Sequence, residues 1–106
     1  MEVVITHEDV EKAEAAFKRD PEGDHGGVST YCPVHQALKR LGVPVARVGY
    51  TSVCCAESGV ALYYEKLLPM LPEEGRKITH LLPEDWSKAE GMKFDYDWSN
   101  ELQIST

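Results

Sequence analysis

The stretch Tyr31-Cys32-Pro33-Val34-His35-Gln36-Ala37-Leu38-Lys39-Arg40-Leu41-Gly42 constrains this fold more than any other. Val34, Ala37, Leu38 and Leu41 stand at i, i+3, i+4 and i+7, so they share one helical face. Pro33 suits a first helical position, because its fixed φ fits a helix and its missing N–H has no partner there anyway. Gly42 can take the left-handed conformation that closes a helix, and Pro44 prevents its resuming. The spacing predicts a helix over 33–41 with one buried face, Cys32 at its mouth and His35 one turn in.

The chain of 106 residues is expected to form one α+β domain spanning 1–106, long enough to bury a modest core. No apolar run approaches the length of a membrane span. Met1-Glu2-Val3 begins neither a basic nor an apolar region, so no secretory signal is expected. Three cysteines cannot all pair within one chain, which with that start points to a reducing compartment, the cytoplasm. The net charge of −7 is uneven. Residues 1–24 hold eight acids and three bases (−5), residues 25–83 four and six (+2), and residues 84–106 six and two (−4). Such a balance repels phosphate backbones, which argues against direct nucleic-acid binding. Acidic ends can instead complement a basic protein partner and speed encounter, or simply keep the surface solvated.

In chain order, residues 2–5 read as a strand. Thr6 caps a helix from His7, with Asp9 three residues on in a variant of the capping box. Val10, Ala13 and Phe17 form its apolar stripe, and Asp20-Pro21 ends it. Residues 21–29 hold three glycines and a proline and read as a flexible loop. Residues 45–64 read as two or three short strands including a hairpin, with a turn at Glu57-Ser58-Gly59. Pro72-Glu73-Glu74 opens a helix that turns Ile78, Leu81 and Leu82 inward, and Gly75 weakens it by about 1 kcal/mol against alanine. Pro83-Glu84-Asp85-Trp86 starts a helical turn or a loop. Met92, Phe94, Tyr96 and Trp98 then alternate with Lys93, Asp95, Asp97 and Ser99 in a strand with one aromatic and one charged face. Residues 100–106 read as a loose tail. The order predicts a small, mostly antiparallel sheet with two to three helices packed on one face.

Val3-Val4-Ile5-Thr6, Cys32-Pro33-Val34 with Ala37-Leu38, the 45–64 run, Leu71-Pro72-Glu73-Glu74 and Phe94-Asp95-Tyr96 together resemble a small family of phage and prophage proteins. That family pairs a Cys-Pro-aliphatic helix start with a closing alternating strand. Many members carry a second cysteine three residues before the Cys-Pro pair, where this chain has Ser29. The helix over 8–19 and its glycine loop look like an insertion. The resemblance implies a phage-like setting and brings no activity with it.

Two chemistries compete with a purely structural account of the cysteines and histidines. Cys32 and His35 have Cys-x-x-His spacing, which zinc accepts, and Cys54, Cys55, His25, His7 or His80 could complete four ligands. Cys54 and Cys55 are adjacent on a strand and point to opposite faces, so at most one could join. Alternatively, Cys32 at a helix N-terminus lies where the dipole favours thiolate, and His35, His80 or His25 could act as its base. Against both, Cys32 can pack as a small hydrophobe. Asp24-His25-Gly26-Gly27 is like the glycine loops of esterases, but no Gly-x-Ser-x-Gly elbow accompanies it. Phosphate-loop, dinucleotide, deaminase and EF-hand patterns are missing from the sequence. Tyr63, Tyr64, Tyr96 and Trp98 are expected to fill the space between sheet and helices, and Trp86 to lie in the core or at its rim.

The leading expectation is a binding protein without catalysis or a resident cofactor. It engages a basic protein surface through Glu84, Asp85, Glu90, Asp95 and Asp97, with the 21–29 loop as an adaptable edge. The alternatives are a small zinc module built on Cys32, His35, Cys54 and His25, and an enzyme using Cys32 with His35.

Overall fold

Among the described residues, the first strand pairs with the last. In the computed structural model, which describes residues 1–19, 32–49, 53–58 and 63–97, β1 (Glu2–Val4) lies antiparallel to β5 (Lys93–Asp95). Val3 faces Phe94 across the ladder and both are buried, while Glu2, Val4, Lys93 and Asp95 are exposed. This is the two-faced alternation read from the sequence. Ile5 N–H donates to the Met92 carbonyl, and Tyr96 N–H to that of Met1, so pairing continues past both strand ends. Tyr96 is fully buried and donates its hydroxyl to the Pro69 carbonyl at 2.6 Å. Trp98, the 21–29 loop and the 100–106 tail lie outside the described residues.

α1 (His7–Arg19) starts where the capping pattern places it. Asp9 N–H donates to the Thr6 hydroxyl at 3.2 Å, and Thr6 N–H donates back to the Asp9 carboxylate at 3.0 Å. Val10, Ala13 and Ala16 are buried, and Phe17 packs on their margin. α2 (Pro33–Arg40) buries Val34, Ala37 and Leu38 completely. Its C-terminus closes as a Schellman motif: Gly42, at φ +89°, donates to the Lys39 carbonyl and Val43 to that of Leu38.

β2 (Val45–Val48), β3 (Val53–Ser58) and β4 (Tyr63–Leu67) form a three-stranded antiparallel sheet. The α+β class therefore stands, with the described strands divided between two sheets. Glu57 and Ser58 belong to β3 rather than to a turn, because they pair with Tyr64 and Tyr63. β4 accordingly runs later than its apolar stretch suggested, and the side chains of Tyr63 and Tyr64 lie outside the described set.

α3 (Glu73–Thr79) buries Ile78, and Leu81 is half-buried. Leu82, expected to turn inward, is instead 57% exposed: α3 has ended, and Leu82 caps the next element with an extended backbone. That element is a 3₁₀ helix, Pro83–Ala89. It lies against α1, with Trp86 fully buried and edge-to-face with Phe17, ring centroids 5.7 Å apart. No helix among the described residues is long and apolar enough to cross a membrane.

Candidate functional site

Among the described residues, the sulfur and imidazole groups singled out in the sequence do not gather at one metal-binding site. Cys32 is the N-cap residue of α2 and is 1% exposed, and His35, also buried, follows on the same helix. A thiol at that depth is placed to pack, whereas a nucleophile needs a path for its substrate. Cys54 is buried on β3, opposite Leu67. His25 lies outside the described residues. His80 caps α3 and donates its Nδ1–H to the Arg76 carbonyl at 2.6 Å. Among the described residues no three or more histidine, cysteine, aspartate or glutamate side chains gather in a way that could hold a metal ion.

His7 is held elsewhere, at the exposed start of α1. Its Nδ1 is 3.2 Å from the Glu90 carboxylate, and its Nε2 pairs with Glu11 one turn along the helix. The hydrogen bond to Glu90 raises the imidazole pKa above 6.5, reinforced by the negative charges of Glu11 and Glu90.

The acidic contact residues fall into two groups. Glu84, Asp85 and Glu90 belong to the 3₁₀ helix and its end, where that helix borders α1. Asp85 is half-buried and pairs with Lys88 at 3.2 Å, and Glu90 is engaged by His7, so two of these three carboxylates already have cationic neighbours. Asp95 and Asp97 are exposed on and after β5.

Around Asp95 the structure assembles more acid than the linear pattern showed. A hollow of about 250 Å³ is lined by Glu2, Glu74, Lys93, Phe94 and Asp95. Glu2 stands directly across the ladder from Asp95. Like charges in that position oppose strand pairing. Glu74 has an exposed partner in Lys77 at 3.4 Å, but among the described residues neither Glu2 nor Asp95 forms an ion pair. Glu2 and Glu74 were not among the contact residues singled out in the sequence, where Glu74 was read only as part of a helix start. Only the β1–β5 register and the packing of α3 on β5 bring them to Asp95.

No family model, curated protein or solved structure matches this chain.

Proposed function

We propose that this chain is a non-catalytic binding domain, an accessory protein of the phage kind its sequence resembles, acting inside a bacterial host. It engages a protein with a basic surface through the hollow formed by β1, β5 and the start of α3. A surface that normally holds nucleic acid has this character, and carboxylates seated on it displace phosphates. Inhibition of a defence or nucleic-acid-handling enzyme follows from such occupation.

The observation that supports this reading is the cross-strand pair Glu2 and Asp95, which sets two carboxylates side by side with no ion-paired cation among the described residues. A sheet selected for stability alone gains by placing opposite charges there. The test is affinity capture from bacterial lysate at low and moderate salt, using the protein and its Glu2→Lys/Asp95→Lys variant. That variant preserves like-charge repulsion across the strands while reversing the field offered to a partner. One stoichiometric partner, lost with salt and with charge reversal, supports the proposal. Capture that is indifferent to both, or no captured partner, overturns it.

A further inference from the structure

We infer that the cleft between α1 and α2 binds a small polyanion, one whose negative groups are phosphoryl or carboxylate oxygens. At about 350 Å³ it has the volume of a small-molecule site. α1 contributes Lys12 and Arg19, which lie about 10 Å apart along the helix axis. Between them Ala15 and Ala16 leave the space that larger side chains would fill. α2 contributes Lys39, Gln36 and the buried His35.

The charge of this cleft runs against that of the molecule. The chain has 18 acidic and 11 basic residues, yet among the described residues no acidic side chain lines the cleft and three of the lining residues are cationic. Lys12 is partly offset by Glu8 at 3.1 Å, whereas among the described residues neither Arg19 nor Lys39 forms an ion pair. Cations gathered at the rim of a concave, partly apolar space raise the local concentration of anions and supply charge-assisted hydrogen bonds to them. The Gln36 amide adds a neutral donor. This site uses different elements from the acidic hollow and does not depend on a partner protein.

The test is a titration of the ¹⁵N-labelled protein at low salt with inorganic pyrophosphate in one arm and citrate in the other, followed by amide chemical shifts. Saturable shifts are expected at Lys12, Arg19, Gln36 and Lys39 with a dissociation constant of about 1 mM or tighter. The arm with the tighter constant identifies the preferred oxygen chemistry. Arg19→Gln/Lys39→Gln is expected to weaken binding at least about tenfold, the loss of one charge-assisted contact or more. The single variants serve if the double variant does not fold. Glu2→Lys/Asp95→Lys is expected to leave the shifts in place. Absence of saturation in both arms, shifts reproduced by sodium chloride at equal ionic strength, or shifts that survive the neutral variants overturn the inference.

Discussion

Arg40 in the last turn of α2 clamps both carboxylate oxygens of Asp9 in the first turn of α1, Nε to Oδ1 at 3.1 Å and an Nη to Oδ2 at 3.2 Å. The same guanidinium group donates to the Val4 carbonyl at 2.9 Å, so one side chain joins β1, α1 and α2. Asp9 is 1% exposed and also completes the α1 cap with Thr6, so its buried oxygens accept from three donor groups in all. A carboxylate can be held at that depth only because its lone pairs are met.

Removing either partner leaves the other poorly satisfied. Asp9→Ala is expected to cost about 3 kcal/mol, since it takes away the cap and the guanidinium group's two bonds to the carboxylate, leaving it only the Val4 carbonyl and solvent. Arg40→Met is expected to cost a similar amount because the buried carboxylate stays. Urea denaturation of both variants and of the double variant is expected to give a coupling energy of about 1–3 kcal/mol. Additive losses would show that the two residues act separately.

Gly42 is at φ +89°, and a Cβ built there would meet nothing within 4 Å. The cost of Gly42→Ala is therefore conformational rather than steric, about 1–2 kcal/mol. The midpoint of urea unfolding is expected to fall with no change in its slope. An unchanged midpoint would mean that the Schellman closure of α2 tolerates a side chain.

Gly75 is not simply a weak point in α3. A Cβ there would sit 3.3 Å from Leu71 Cδ2 and 3.3 Å from Phe94 Cδ2, so the missing side chain lets α3 approach β5. In Gly75→Ala a helix-propensity gain of about 1 kcal/mol is set against that crowding, and the net change is expected to be small. Gly75→Val is expected to destabilise by about 1–3 kcal/mol through overpacking. Thermal unfolding of the two variants separates propensity from packing.

His7 makes stability depend on pH. Its folded-state pKa is raised, so the native chain holds a proton that the unfolded chain releases. The stabilisation is complete below the ordinary value of 6.5 and is lost as pH rises through the higher folded-state value. His7→Gln is accordingly expected to lower the melting temperature at about pH 5.5 and to match the parent protein near pH 9. A difference that persists unchanged at high pH would assign the role of His7 to packing.

Much of the local structure was legible because its causes lie within a few residues of one another. Thr6 and Asp9 mark the start of α1, Pro33 the start of α2, and Gly42 its end, since cap geometry depends on neighbouring backbone and short polar side chains. The alternation of Lys93, Phe94, Asp95 and Tyr96 announced a two-faced strand and which residues it buries.

Tertiary structure decided what those elements meet. Nothing near Glu2 names Asp95 as its cross-strand neighbour, and nothing near Asp9 names Arg40, 31 residues away. Lys12, Arg19 and Lys39 look like ordinary solvated charges until the packing of α1 on α2 sets them around one cleft. Local propensities act through the chain, whereas strand register and helix approach are chosen by burying Val3, Leu38, Trp86 and Phe94 together. That choice, made by apolar contacts distant in sequence, carries the charged side chains to their final neighbours.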